Sequence, residues 1–476
     1  MAPRAFNISK IAIIGAGPSG VTSAKYLLAQ RAFASVVLFE QQPESALGGV
    51  WHYTPAAPPA PAGPQTDPFY PPDEPLQAGR SDEGGDRNAP VFMSPMYEEL
   101  HANIPGTLMN FKDVPFPEEA RIYPTREIIR DYVIRYTQDV KHLIKFSREI
   151  VDVKPRVVDG YEKWDLVARS TITGDEEQHT FDAVVVANGH YSVPFIPNIK
   201  NLIEFNKAHP GVAIHSKQFR SPRTFKDQKV LVVGNGPSGL DIAYQIHPLS
   251  KELLLSVRSA TPPEKLAHVG AEEIAEIAEF LPDSRGVRLV DDRVIKDIDA
   301  VVFCTGFLFS YPFLRSLAPT LITGGKGVHG LYRHLFAIGH PTLVFPGLLM
   351  RAVPFAVAEA QSAVFAAVWA NALDLPPVEE QWKQSKELDD ELGDAVHVLP
   401  KMADAIYINE MHDWVGKAAS KGKEPPRWGA SEFWQRKIFA EAKLAFEETG
   451  CKAKTLEELG FYFDEGAKGF ASETEP

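Results

Sequence analysis

The apolar residues of this chain gather into short unbroken runs, which is the pattern of parallel strands covered on both faces. The run IAII at 11–14 is followed by the turn GAGPSG, a breaker-free stretch at 21–30 and a second run, VVLFE, at 36–40. That order predicts a β-α-β unit. The same order returns at Lys229, with VLVV, then GNGPSG, a helix over 240–246 and a strand over 253–257. Runs at 182–187 (DAVVVA) and 300–303 (AVVF) predict two more buried strands. Residues 96–142 read as mostly helical, with 126–142 as one helix, and 150–181 alternates as strands do. From about Gln381 the chain is charged and helix-rich and ends in a polar tail. No tandem repeat at solenoid spacing is present. The duplication is of the β-α-β unit itself.

Residues 54–90 break the pattern with prolines at 55, 58, 59, 61, 64, 68, 71, 72, 75 and 90. Such a stretch supports neither a regular helix nor a central strand, and it is expected to be an irregular, solvated surface insertion without chemistry.

Composition narrows the function classes. At about 100–200 residues per domain, 476 residues predict two to four domains. Hydrophobic residues at 44% and charged residues at 23% exclude wholesale disorder. The net charge is −13, from 49 basic and 62 acidic residues, and no basic stripe is evident, so nucleic acid is not an expected partner. Cys304 and Cys451 lie far apart with no CxxC pair, which excludes a dithiol redox centre and a cysteine zinc site. The N-terminus lacks the apolar stretch of a signal peptide, and the most apolar region, 343–373, is broken by Pro346, Arg351, Pro354 and Glu359. No membrane span and a soluble, cytoplasmic protein are expected.

Both glycine turns sit between a strand and a helix, the context that gives a GxGxxG pattern its meaning. Gly15 permits a tight turn, Gly17 lets backbone approach a pyrophosphate, and Gly20 allows close helix–strand packing. Pro18 and Ser19 open the helix, whose N-terminus offers unpaired amides and a positive dipole end to phosphates. Glu40, twenty residues after Gly20, stands where an acid binds a ribose 2′-hydroxyl and repels a 2′-phosphate, which suits FAD or NAD. Gly234, Gly236 and Gly239, with Pro237 and Ser238, repeat the turn, but the next strand ends in Arg258-Ser259. An arginine there suits the 2′-phosphate of NADPH. FAD first and NADPH second on one chain implies hydride transfer from nicotinamide to flavin.

Between the fingerprints lies PGVAIHSKQF at 210–219, which resembles the FxGxxxHxxx(Y/F) pattern of the flavin-containing monooxygenases. Gly211, His215 and Phe219 match, and His209 replaces the phenylalanine. Related Baeyer–Villiger enzymes carry tryptophan where Phe219 stands. Gly48-Gly49-Val50-Trp51 resembles the family's flavin loop, and YEELHANIP at 97–105 the segment whose asparagine, here Asn103, lies beside isoalloxazine and nicotinamide. Cys304-Thr305-Gly306-Phe307 is similar to the family's ATGY, and PFAVAEAQ, ending at Gln361, to the returning FAD-domain segment.

The resemblance implies an α/β fold of two Rossmann-like dinucleotide-binding domains, an NADPH domain at 208–321 inserted into a discontinuous FAD domain at 1–207 and 322–476. It implies an NADPH- and FAD-dependent enzyme that forms a C4a-hydroperoxyflavin with O2 and oxygenates an amine, a thiol or a sulfide. Such chemistry needs no metal and no catalytic triad. Asn103 is expected beside the reacting centre; His215 either acts on NADPH or hydrogen-bonds the domains together. Ser238 and Asp241 match NADP-contacting positions, although an acid near a helix N-terminus also complements the dipole. Cys304 reads as a packed thiol. Three rivals remain: a Baeyer–Villiger monooxygenase acting on ketones, an NADPH oxidase releasing hydrogen peroxide, and a non-enzymatic flavin-binding or interaction protein, against which both intact glycine fingerprints and both specificity residues speak. A homodimer is compatible with the sequence but is not read from it.

Overall fold

The computed structural model describes residues 6–57, 59, 61–71, 73–76, 90–318 and 320–464. The first β-α-β unit forms from strand Lys10–Ile14, helix Pro18–Gln30 and strand Ser35–Phe39. Lys10–Ile14 runs parallel between Ser35–Phe39 and Ala183–Val186. Ile11 and Ile13 enter one core while Ala12 and Ile14 enter another, so both faces of the strand are covered and no polar position is tolerated. Ile144–Lys145 extends this sheet at one edge; Leu343–Val344 and the hairpin Leu331–Tyr332/Phe336–Ala337 extend it at the other. The first sheet is therefore completed only when the chain returns from the second.

The second β-α-β unit comprises Lys229–Val233, Pro237–Ile246 and Glu252–Ser256. Its sheet is wholly parallel, in the order Glu272–Ile274, Glu252–Ser256, Lys229–Val233, Ala300–Phe303, Ala213–His215. The alternation repeats: Val230 and Val232 face one core, Leu231 the other. The two crossings between the sheets pair with each other, Val193–Pro194 antiparallel to Phe307–Leu308. Leu202 and Phe205 are already buried in the second sheet's core, and Phe309, Tyr311, Phe313 and Leu314 in the first's. The cores thus change over ahead of the expected 207/208 and 321/322 boundaries.

A three-stranded antiparallel sheet (Arg148–Val158, Tyr161–Ser170, Glu176–Phe181) covers one face of the first sheet through Val153, Trp164 and Leu166. Helix Pro354–Trp369, buried throughout after its first residue, covers the other and packs on Pro18–Gln30. Each fully buried aliphatic side chain there stabilises by about 1.5–3 kcal/mol. Glu359 is the charged exception in this helix: it accepts the Lys112 amide at 2.7 Å and the Tyr26 hydroxyl at 3.3 Å, and burial pushes its carboxyl up to about 7. Helices Val378–Leu392, Ala403–Val415 and Ala430–Glu448 complete the fold. Among the described residues, no helix is long and apolar enough to cross a membrane.

Two expectations need correction. Residues 96–125 are not mostly helical; they hold one short helix, Gly106–Met109. Pro105, Pro115, Pro117 and Pro124 deny the segment a continuous helix, and its amides bond to distant partners instead, Glu98 to Arg220 (2.9 Å) and Gly106 to Ile122 (2.7 Å). The helix expected over 126–142 stops at Thr137, after which Lys141–Leu143 turns the chain into the edge strand.

The proline-rich insertion has no helix or regular strand in its described residues, as expected, but it is bonded down rather than free. Gln65 pairs with Ile196 by backbone bonds of 2.9 Å both ways, the Pro68 carbonyl accepts from Ser310 at 2.6 Å, and Asp73 takes the ammonium of fully buried Lys217. It thus lies over both interdomain crossings. Residues 77–89, and the polar tail from 465, lie outside the described residues.

Candidate active site

The two glycine turns are built alike, bond for bond. The Gly15 amide donates to the Phe39 carbonyl at 2.8 Å, and the Gly234 amide to Ser256 at 2.9 Å. Ala187 donates to Ile14 at 2.9 Å, and Cys304 to Val233 at 2.8 Å. Gly15 and Gly234 have φ of +97° and +104°, a region that disfavours any side chain. A Cβ on Gly20 would lie 1.9 Å from the Gly15 carbonyl oxygen, and one on Gly239 1.9 Å from that of Gly234. Helix and strand touch there with no room for a methyl group.

The middle glycines differ from their neighbours. Gly17 and Gly236 are extended (φ −74° and −70°), and a Cβ on Gly236 would meet nothing within 4 Å. Both are helix N-caps with no side-chain cap, followed by Pro18 and Pro237. The first-turn amides of Ser19–Gly20 and Ser238–Gly239 are thus left for an outside acceptor, the requirement of a pyrophosphate.

Around the first turn, Gly48 (φ +132°) and Gly49 (φ +59°) fold the GGVW loop onto it, so that a Cβ on Gly49 would lie 2.7 Å from the Gly17 Cα. Val50 and Trp51 are half-buried, and the Val50 carbonyl accepts from Ser94 at 2.5 Å. Glu40 stands one residue past strand Ser35–Phe39, just beyond the end the sequence predicts. Its oxygens accept the Ala16 amide at 2.8 Å and the Gln42 amide at 2.9 Å, so the carboxylate also braces the turn. Burial pushes its carboxyl up, against the pull of those amides. Gln361 is wholly buried and reaches no open space: it accepts the Gly347 amide at 2.8 Å and donates to Tyr407 at 3.0 Å. Gly347 in turn abuts Ser19, so Gln361 braces the cradle from behind.

At the second turn, Arg258 and Ser259 are exposed just past strand Glu252–Ser256, open to a 2′-phosphate. Sequence reasoning missed Asn235, which donates from Nδ2 to the Ser259 carbonyl and to Thr261 Oγ1, both at 2.9 Å, and so holds the Arg258 loop against the turn. Its place inside the GxG is the signal that was available. Ser238 is exposed at the turn. Asp241 is directed elsewhere: its carboxylate accepts the Tyr97 hydroxyl and Gln245 Nε2 (3.0 Å). Burial pushes it up to about 6.

Tyr97 opens the segment that carries Asn103. Asn103 is exposed on a bend before Pro105, with no side-chain partner among the described residues. The segment is docked on the second domain through Tyr97–Asp241, through Arg220, which donates to the Met96 carbonyl at 2.9 Å, and through Arg223 with Glu98 and Glu99. Phe219 packs edge-on against Tyr97 at 5.1 Å.

The histidine motif is a brace between the crossings. His215 is fully buried; its Nδ1 accepts the Lys217 amide at 3.1 Å, and its Nε2 lies 3.0 Å from the Gly306 carbonyl. The buried amide fixes Nδ1 as the acceptor, so Nε2 carries the proton and donates. Burial lowers its pKa to about 3, and the ring is neutral. Gly306 holds φ +88°, and Thr305 donates to the Phe195 carbonyl, which ties the returning crossing to the outgoing one. His209, the departure from the motif, stays aromatic against Phe205 at 5.2 Å and contacts the Pro282 carbonyl at 2.7 Å. Cys304 is buried, and its thiol pKa is raised by that burial, as a packed thiol requires.

Two such turns on one chain, one ending in a buried acid and one in an exposed arginine, define a protein of the FAD- and NADPH-binding flavoprotein class. Comparison with known proteins makes this specific. A flavin-binding monooxygenase-like family model matches residues 87–262 and 275–423, and an FAD-NAD(P)-binding model matches 12–58. An Arabidopsis thaliana flavin-containing monooxygenase, FMO GS-OX-like 2, is 31% identical over 85% of this chain and 84% of its own. The thiol-specific monooxygenase of Saccharomyces cerevisiae is 28% identical over 85% of this chain and 84% of its own. The solved structure of S-allyl-L-cysteine S-oxygenase from Allium sativum superposes with a TM-score of 0.75 at 24% identity, covering 95% of this chain and 96% of that one. The chain belongs to the flavin-containing monooxygenase family, and its cofactors are FAD and NADPH.

Proposed function

We propose that this monooxygenase oxygenates a soft sulfur or nitrogen nucleophile, a thiol or sulfide first among them, at the expense of NADPH and O2. The observation that carries the reading is the pair of like-built turns with unlike ends, Glu40 in one and Arg258-Ser259 in the other. The thiol-specific yeast relative and the S-oxygenase fold neighbour favour sulfur among the nucleophiles. Phe219 in the histidine motif favours this branch over ketone oxidation.

Bound FAD, once reduced by NADPH, supplies the oxygen-activating chemistry. The chain's own residues do the rest. The open amides of Ser19–Gly20 and Ser238–Gly239 hold the two pyrophosphates, and Glu40 takes the flavin-side ribose. Arg258 and Ser259 select the 2′-phosphate, held in place by Asn235. Asn103 offers a neutral donor and acceptor between the two cofactors, so it orients without adding charge. His215, neutral with both ring nitrogens engaged, fixes the angle between the domains rather than moving a proton. Tyr97 and Asp241 fix the Asn103 segment against the NADPH domain, which holds Asn103 in place.

The test is NADPH-dependent turnover of a matched panel: a thiol, a dialkyl sulfide, a tertiary amine and a cyclic ketone, with product identified by mass. Oxygenated sulfur or nitrogen products with the ketone untouched support the proposal. Lactone from the ketone alone overturns it.

A further inference from the structure

Away from both glycine turns, a cleft of about 270 Å³ opens between the hairpin turn at Arg333-His334 and helix Val378–Leu392, lined also by Tyr407 and Leu388. The turn is strained. Arg333 and His334 both have φ +54°, with the Leu335 amide bonded to the Tyr332 carbonyl at 3.1 Å, the geometry of a type I′ turn that favours asparagine and glycine. Two side chains held in so unfavourable a backbone point to a function for the side chains themselves.

Their polar atoms are incompletely paired. Arg333 Nε is buried with no hydrogen-bond partner, although its Nη2 meets Glu410. His334 is 9% exposed, and its Nδ1 lies 3.2 Å from Nδ1 of His397. His397 Nε2 lies 3.1 Å from both the amide and the carbonyl of buried Val328, so when the amide donates, the ring carries its proton on Nδ1, facing His334. In that tautomer His334 accepts at Nδ1 and carries a proton on Nε2, for which no described residue serves as acceptor. The turn presents donors. The facing wall presents acceptors: Gln384, Glu387 and Glu391 recur at helical spacing on one face, and Gln384 Oε1 is buried without a partner.

From donors on one wall and acceptors on the other, we infer that this cleft binds a small zwitterion of amino-acid size, its carboxylate on Arg333 and His334 and its ammonium on Gln384, Glu387 and Glu391. The volume suits such a molecule and is too small for a dinucleotide. Arg333, already bonded to Glu410 through Nη2, gains a second anionic partner, and the helix carboxylates offset the ligand's positive end.

Calorimetric titration of the FAD-loaded enzyme with L-alanine, L-leucine and L-glutamine tests this, with propionate and ethylammonium as the separated halves of L-alanine. The expected result is saturable binding of at least one amino acid, with each half-ligand at least about tenfold weaker. Gln384→Ala and Glu387→Gln are expected to weaken binding at least about fivefold, with FAD content and NADPH oxidation without amino acid unchanged. No saturable binding of any of the three overturns the inference. So does a half-ligand binding as tightly as L-alanine. Equal affinity in the wild type and both variants also overturns it, since it places binding elsewhere.

Discussion

Replacing Gly236 by alanine separates a glycine required by the ligand from one required by the fold. Gly236 has φ −70° and ψ 178°, an extended conformation that alanine adopts freely, and its Cβ would meet nothing within 4 Å. The fold should not register the change, and stability should stay within the roughly 0.5 kcal/mol of a neutral surface substitution. The pyrophosphate should register it, because the methyl group stands where backbone must approach phosphate. Loss of one charge-assisted hydrogen bond from the first-turn amides costs about 1.5–3 kcal/mol, which is roughly 10- to 150-fold in NADPH affinity. Gly239→Ala is the contrast. Its Cβ would fall 1.9 Å from the Gly234 carbonyl oxygen, so strand and helix must separate by about 1 Å, and stability should fall with affinity. The assay is NADPH KM, flavin content and Tm on both variants. Unchanged NADPH KM in Gly236→Ala, or a loss of bound FAD in that variant, would refute the reasoning.

Three other outcomes are expected. Arg258→Ala should raise the KM for NADPH tenfold or more while leaving that for NADH unchanged; equal shifts sink the 2′-phosphate role. Tyr97→Phe removes the hydroxyl that holds Asp241, leaving Gln245 as its hydrogen-bond donor. The Asp241 carboxyl then rises further above about 6, and peroxide released per NADPH should increase as the Asn103 segment loosens; unchanged coupling and an unchanged pH profile count against it. Glu359 has its carboxyl raised from 4.5 to about 7. The folded state therefore holds that proton longer than the unfolded chain, and stability is lost as pH rises from about 4.5 to about 7, by up to about 3 kcal/mol. Glu359→Gln should gain stability relative to the wild type between about pH 5 and pH 8, and a Tm difference constant across that range would contradict the sign.

What the sequence made legible is what local backbone geometry demands. Gly15 and Gly234 need positive φ, Gly20 and Gly239 need an absent Cβ, and both needs follow from residue type and spacing. The unbroken apolar runs likewise announce strands covered on both faces. Spacing along a helix was less informative, because it fixes the phase of a side chain but not its neighbour: Asp241 has the spacing of a nucleotide contact and faces Tyr97. Gln361 matches a flavin-side position and braces Gly347 from behind. The segment at 96–125 was misread because its amides are satisfied by remote carbonyls, which no local pattern reports. The proline-rich insertion was legible as irregular, but its Asp73–Lys217 pair was not, since that partner lies far along the chain.

The central claim is that the two dinucleotide sites act in sequence to place an atom of O2 on a soft nucleophile. The most direct test is turnover with NADPH and 18O2 in the presence of a thiol and a dialkyl sulfide, with product mass and hydrogen peroxide both quantified against NADPH consumed. The account predicts one 18O atom per sulfoxide formed from the sulfide, an unlabelled disulfide from the thiol, whose sulfenic-acid oxygen leaves as water, and near-equal product and NADPH in both. Stoichiometric peroxide, with no label in any product, would contradict it and leave an oxidase.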